Sequence, residues 1–177
     1  MKKTMDFLKQ YLINISSLKE GLHAFDFVVD NELFKYFGYN EFNSCKIEVN
    51  LKLNKKSTLI ELGFLSKGII NLNCFVSNEE FDYPHNSNMN LVVKFGERFN
   101  DDNDELLILP KGTYQIDISQ QIYEMIVLSL PLKIIHPGIE DGTLEFESLN
   151  MFNKNNSNTQ KDISIIDPRW DKLKDLK

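Results

Sequence analysis

Residues 45–54 alternate strictly between apolar and polar side chains. The apolar positions are Cys45, Ile47, Val49, Leu51 and Leu53, and the polar positions between them are Lys46, Glu48, Asn50, Lys52 and Asn54. Successive side chains of a β-strand point to opposite faces, so this pattern places every apolar group on one side. The stretch therefore predicts a strand with one buried and one solvated face.

Similar patterns predict strands on both sides of this stretch. Residues 11–16 and 22–30 alternate in the same way, and residues 57–77 predict one long strand or two strands with a break near Gly68. Further strands are expected in 79–84 and 88–99. Short polar turns separate these stretches, which favours antiparallel neighbours because a parallel crossover needs a longer connection.

Two stretches have a helical pattern instead. Residues 114–131 contain a long amphipathic helix that Asp117 or Ser119 can cap and Pro131 ends. Residues 31–37 predict one or two helical turns, capped by Asp30 or Asn31 and ended by Gly38.

The order of these elements predicts an α+β fold. We expect a mainly antiparallel, strongly curved sheet or partly closed β-barrel with one longer helix and a short C-terminal helix. Residues 1–139 would form the β-rich domain, residues 140–166 a polar, flexible linker rich in asparagine, and residues 167–177 the C-terminal helix.

The C-terminal stretch DPRWDKLKDLK has its own helix signals. An aspartate suits the N-cap, a proline suits the first helical position, and apolar residues recur every three positions beside basic ones. A helix of about ten residues is marginal alone in water, so it either docks on its own domain or binds a groove on a partner. The candidate partner- or RNA-binding residues are Asp167, Pro168, Arg169, Trp170, Lys172, Leu173, Lys174 and Leu176.

Charge and composition limit the classes of function. The net charge is −6, and only two of the 20 basic residues are arginines, whereas general RNA binders have a basic surplus. Any RNA contact is therefore expected to be local, transient or made through another protein. No apolar run approaches the roughly 18 residues of a membrane helix, and the N-terminus lacks signal-peptide features. We expect a cytoplasmic protein in which Cys45 and Cys74 are free thiols.

No catalytic motif is recognisable around His23, His85 or His136, so we expect structural or surface roles for them. The acidic stretch 101–105 is interpreted as a solvated turn rather than a cation site. A zinc site is not expected, because Cys74 has Ser77 where a C-x-x-C pair would place its second cysteine. The chain is therefore predicted to be no enzyme and to use no cofactor, metal or small-molecule substrate. A metal-dependent nuclease using Asp101, Asp102 or Glu105 is the least favoured alternative.

Four segments resemble the YceD family, whose members are called large ribosomal RNA subunit accumulation proteins. They are residues 11–30, 67–84, 114–137 and 167–176, and the last two are the more specific. Many members have a C-x-x-C pair and a second cysteine cluster after the Leu-Pro that follows the long helix. Ser77 and the cysteine-free stretch 132–137 imply the zinc-free branch of the family. The resemblance is to a Bacteroidetes-like member of that branch.

The resemblance implies a non-enzymatic factor in large-subunit ribosomal RNA accumulation or processing, or in assembly of the 50S subunit. Its partners would be the large-subunit rRNA precursor or ribosomal and processing proteins, and no membrane. The alternative hypothesis is a protein–protein adaptor that makes no direct contact with RNA.

Overall fold

The computed structural model describes residues 7–103 and 105–140, and the chain divides into two compact units, residues 1–134 and 135–177. In the described part of the first unit, a 3-10 turn (Lys9–Tyr11) precedes β1, and the helices include α1 (Asn31–Tyr36) and α2 (Ser119–Leu128). Its strands are β1 (Leu12–Asn14), β2 (Gly21–Val29), β3 (Phe42–Lys55), β4 (Leu59–Asn73), β5 (Glu80–Gly96), β6 (Asn100–Asn103), β7 (Leu106–Pro110) and β8 (Gln115–Asp117). In the second unit, the described residues contain the short helix α3 (Pro137–Glu140).

Within the described residues, six strands form one mixed sheet in the order β2-β3-β4-β5-β7-β6. All neighbouring strands are antiparallel except β5 and β7. Strand β7 lies between β5 and β6, where it runs parallel to β5 and antiparallel to β6. Strands β1 and β8 form a separate two-stranded antiparallel sheet. The fold is thus α+β and mainly antiparallel, with one parallel pair at β5–β7.

The predicted strongly curved sheet or partly closed β-barrel is wrong. No sheet formed by the described residues is closed, since β2 and β6 stand at opposite ends of the strand order. The alternating pattern specifies one buried face but does not specify what covers it. Here α1 packs against β3 and α2 packs against β5, so helices cover a face that a closed sheet would have turned inward.

The helix signals correspond to local hydrogen bonds. Asp30 caps α1 by accepting the backbone N–H of Glu32 at 2.9 Å, and Gly38 follows the helix with a φ of 78°. Asp117 accepts the N–H of Ser119 at 2.9 Å where α2 begins.

Strand β4 continues unbroken through Gly68, so the long-strand alternative is the one observed. A Cβ atom at Gly68 would lie 2.2 Å from the carbonyl oxygen of Lys46 and 2.6 Å from the Cα of Ile47. The glycine therefore permits a close backbone approach between β3 and β4 rather than marking a turn.

An aromatic cluster joins α1 to α2 over the buried face. Phe37 stacks on Tyr123 of α2 with ring centroids 4.5 Å apart, and Phe34 meets Phe42 of β3 edge-on at 4.7 Å. Such pairs each contribute about 0.5–1.5 kcal/mol beyond the area that they bury. The cluster holds α2 in place along β5.

The predicted linker beyond residue 140 and the predicted helix at 167–177 lie outside the described residues. The division into residues 1–139, 140–166 and 167–177 therefore stays a prediction.

Candidate functional site

A groove of about 670 Å³ lies between α2 and strands β5–β7. Both sides of the groove contribute apolar side chains, which are Met89, Leu91, Leu106, Leu107, Met125, Val127 and Leu128. Grooves of this size and character commonly take ligands or short segments of partner proteins.

The groove exists because the apolar stripe of α2 is wider than its buried face. Ile122 and Ile126 are fully buried, whereas Leu128 on the same helix is 81% exposed. A large apolar side chain left in solvent beside other apolar groups is typical of an interaction surface. Leu128 is thus the most accessible apolar contact that the groove offers.

The charged groups of the groove are acidic. Asp101 and Glu124 line it, and no lysine or arginine of the described part of the chain does. Gln120 on α2 donates a hydrogen bond of 2.8 Å to Glu124. Phosphate would meet carboxylates without a compensating cation, so the groove suits an apolar segment flanked by basic residues better than it suits RNA.

Gln121 contributes a buried acceptor between this groove and a smaller cavity of about 280 Å³ beside α1. Its Oε1 atom accepts no hydrogen bond from any described residue. A buried polar atom without a partner costs about 1–3 kcal/mol.

His23 and His85 are not among the residues that line the groove, and all three histidines have local partners. His85 is 4% exposed and its Nε2 lies 2.8 Å from Ser66 Oγ, a fully buried group. Burial lowers the pKa of His85 because the charged imidazolium would lose its hydration. His23 contacts the carbonyl oxygen of Lys19, and His136 Nδ1 accepts the N–H of Gly138, both at 2.9 Å.

The Ser66–His85 pair resembles a nucleophile and its base in atom types only. A catalytic serine must reach its substrate, and both side chains are almost completely enclosed. The geometry instead supports a structural role, in which each polar group satisfies the other inside the β4–β5 hairpin.

Both cysteines are free thiols. Burial, with the nearby charge of Asp30, raises the pKa of the Cys45 thiol to about 12. The buried Cys74 Sγ accepts the backbone N–H of Ser77 at 3.4 Å. The environment of Cys45 therefore disfavours the thiolate, the form that reacts or binds metal.

The turn at Cys74 meets the segment that follows α2. Phe75 donates its backbone N–H to the carbonyl oxygen of Ile134 at 2.8 Å, and Lys133 Nζ lies 5.5 Å from the centroid of the Phe75 ring. Phe75 and Leu132 remain 65% and 102% exposed. The turn and this segment therefore form a second apolar surface in the first unit.

The predicted acidic loop is partly a strand. Residues 100–103 form β6 at the sheet edge, and Asn103 accepts the N–H of Glu105 at 2.9 Å. In the described residues, no group of three or more His, Cys, Asp or Glu side chains is arranged to hold a metal ion.

The residues predicted from the C-terminal stretch, 167–176, lie outside the described residues, so their role stays a prediction. The sequence reasoning did not find the groove. The available signal is the extra width of the α2 apolar stripe at Val127 and Leu128, but width alone does not distinguish a core position from an exposed one.

These features describe an α+β protein whose open mixed sheet and long helix border an apolar groove. The model of the family described as large ribosomal RNA subunit accumulation protein YceD matches residues 64–177, more than half of the chain, and the protein belongs to this family. Every residue that lines the groove is inside the matched range. No curated protein and no solved structure matches the chain significantly.

The family name states a role in accumulation of large-subunit ribosomal RNA. No helix in residues 7–103 and 105–140 has the length and apolar character needed to cross a membrane.

Proposed function

We propose that the protein is a non-enzymatic factor that supports processing of large-subunit ribosomal RNA or assembly of the 50S subunit in the cytoplasm. Membership of the YceD family carries this proposal, because the family name ties its members to accumulation of that RNA. Accumulation depends on whether the precursor is processed and packaged before it is degraded. A factor that promotes either step would raise the level of the RNA.

The charge distribution supports contact through a protein partner. The chain has a net charge of −6, and carboxylates line the α2 groove. General RNA affinity depends on neutralising many phosphates and is therefore expected to be weak. The groove would instead take an apolar segment of a basic ribosomal or processing protein. Any direct contact with rRNA would be confined to the stretch around Arg169 and its neighbouring lysines.

The proposal includes three further features. The protein catalyses no reaction, binds no zinc and is a Bacteroidetes-like member of the family. The enclosure of the Ser66–His85 pair and the raised thiol pKa of Cys45 support a non-enzymatic role. Ser77 stands where a second zinc-binding cysteine would be expected, and its N–H already bonds to Cys74 Sγ.

Sedimentation of a low-salt lysate through a sucrose gradient tests the proposal. The protein is expected to sediment with precursors of the large subunit, together with incompletely processed large-subunit rRNA. Sedimentation only as free protein, or equally with both ribosomal subunits, would argue against it.

The adaptor without RNA contact is the second candidate, and the acidic lining of the groove favours it. Ultraviolet crosslinking in cells separates the two. Crosslinks to rRNA indicate direct contact, whereas crosslinks to proteins of the same particles, without RNA, indicate an adaptor.

A further inference from the structure

The two edges of the six-stranded sheet are unequal. Strand β6 has four residues, includes Asp101, and shows a register irregularity between Asn100 and Asn103. Short length, charge and irregular register are the usual ways in which an edge is protected from pairing. Strand β2 has nine residues, no proline and one carboxylate, that of Asp26. The β2 edge has little of this protection.

No strand of the described residues pairs with the outer edge of β2. Every residue from Gly21 to Val29 pairs with β3 on one side. On the other side, no described residue forms a backbone hydrogen bond with β2. Alternate N–H and C=O groups therefore point away from the sheet, in the arrangement to which another strand can be added.

We propose that β2 pairs antiparallel with β2 of a second copy, with the two-fold axis at Phe25. The two sheets would then continue into one another across the dimer. This interface goes beyond the proposed ribosomal function and does not depend on it.

The sequence of β2 is self-complementary in this register. A two-fold axis at Phe25 places residue 25 opposite itself, 22 opposite 28, and 24 opposite 26. Leu22 and Val28 are 78% and 60% exposed in the single chain, and they would cover one another at both ends. Ala24 would face Asp26, so the small side chain leaves room for the carboxylate, and the two Asp26 side chains are not opposite one another.

The inner face is complementary too. Phe25 would meet its own copy, and Phe27 would meet His23, while all three side chains are only half-buried in the single chain. Phe27 already stacks on Tyr11, with centroids 6.0 Å apart and planes at 29°. Cross-strand aromatic pairs are among the stabilising ones, each contributing roughly 0.2–1 kcal/mol.

Moving the two-fold axis to the residue before or after Phe25 gives two other registers in which the same faces meet. Both registers have less favourable cross-strand pairs. An axis at Ala24 places Leu22 opposite the Asp26 carboxylate. An axis at Asp26 places the two Asp26 side chains opposite one another and Leu22 opposite Asp30. Like charges directly opposite are destabilising, so the axis at Phe25 is favoured.

The charge of Asp26 has a partner in its own chain, because Asn50 of β3 donates its side-chain amide to the carboxylate. The remaining electrostatic cost is the repulsion between two chains of net charge −6. Salt screens such repulsion. The dimer is therefore expected to tighten as salt rises from about 10 mM to about 150 mM, the range over which the Debye length falls from about 30 to about 8 Å.

Sedimentation equilibrium of the full chain tests the interface. The variants are Leu22→Lys, Val28→Glu, and the double variant with both changes. The single variants bury an unpaired charge opposite an apolar side chain and are expected to raise the dimer dissociation constant at least tenfold. In the double variant the two introduced charges are opposite in sign and face one another, so dimerisation should recover in part.

Ile69→Lys is the matched control. Ile69 is 53% exposed on β4, and β3 separates this strand from β2. This control should dimerise like the unchanged chain, and circular dichroism should show all four variants folded. A monomer at all concentrations to about 100 μM, an equal loss in the control, or no recovery in the double variant would overturn the proposal.

Discussion

Ser66 and His85 face one another inside the β4–β5 hairpin, and their burial makes the stability of the fold depend on pH. Burial lowers the pKa of His85 in the folded protein, whereas the unfolded chain binds a proton near the ordinary value of about 6.5. The unfolded state therefore binds more protons than the folded state below this pH. The contribution of the buried neutral His85 to the free energy of unfolding is fully present above about pH 6.5. It is lost as the pH falls towards the lower pKa of the folded state.

Urea unfolding between pH 5 and pH 8 measures this effect. The free energy of unfolding should fall below pH 6.5, and His85→Asn should remove that part of the fall because the amide does not titrate. Other groups titrate in both proteins, so the difference between the two curves isolates His85. Parallel curves for the two proteins would contradict the burial argument.

Gly68 gives a second residue-scale prediction. Gly68→Ala places a Cβ atom 2.2 Å from the Lys46 carbonyl oxygen, so β3 and β4 must separate locally. Overpacking of this kind typically costs about 1–3 kcal/mol. Chemical denaturation should show that loss.

Gly63→Ala is the control on the same strand. Its Cβ atom would first meet the Asn90 side chain at 3.4 Å, an ordinary contact. This variant should be close to neutral. Equal losses at Gly63 and Gly68 would show that the effect comes from strand propensity rather than from the close approach.

At the scale of elements, strands and helices with a strong local pattern were predictable. The alternation in β3 extends over residues 45–54, and the structure buries Ile47, Val49, Leu51 and Leu53 as that pattern requires. The ends of α1 are specified by Asp30 and Gly38, which act within a few residues of the helix.

Sheet closure and the β5–β7 pair were not predictable, because they depend on long-range pairing rather than on a local pattern. Whether β2 pairs with a further strand depends on residues that are distant in sequence. A local alternating pattern does not specify such long-range pairing. Strand β7 has five residues, so its insertion between β5 and β6 is set by tertiary packing rather than by its own pattern. The groove was missed on the same grounds, since Leu128 is apolar in sequence whether it is core or exposed.

The groove beside α2 leads to an element-scale prediction. Leu128→Lys puts a strongly hydrated charge where an apolar partner side chain would pack, and it changes an exposed position that the core does not need. Capture of partner particles from a low-salt lysate should fall at least fivefold. Ile69→Lys adds the same charge on the outer face of β4 and should capture normally. Equal capture by both variants would remove the groove as the binding surface.

The sequence predicts that the stretch 167–177 binds a partner or RNA. If its apolar face binds a partner, the double change Trp170→Ala with Leu173→Ala should weaken capture as much as deletion of residues 167–177. Replacing Lys172 and Lys174 by Gln tests its charge separately. Unchanged capture after the deletion would show that this stretch does not bind the partner.

For the whole molecule, acidity and family membership must be reconciled. A chain of net charge −6 in a family named for ribosomal RNA accumulation cannot depend on broad phosphate contact. The proposed protein-mediated contact, through the acidic and apolar groove, would reconcile the two. The central claim is then a cellular one, that large-subunit rRNA accumulates less when the protein is missing.

The most direct test is the ratio of mature large-subunit to small-subunit rRNA in cells that lack the protein. The account predicts a lower ratio that the unchanged chain restores. A variant with Asp101→Asn, Asp102→Asn and Glu105→Gln should restore it equally, since no catalytic acid is required. An unchanged ratio in the deleted strain would contradict the proposed function.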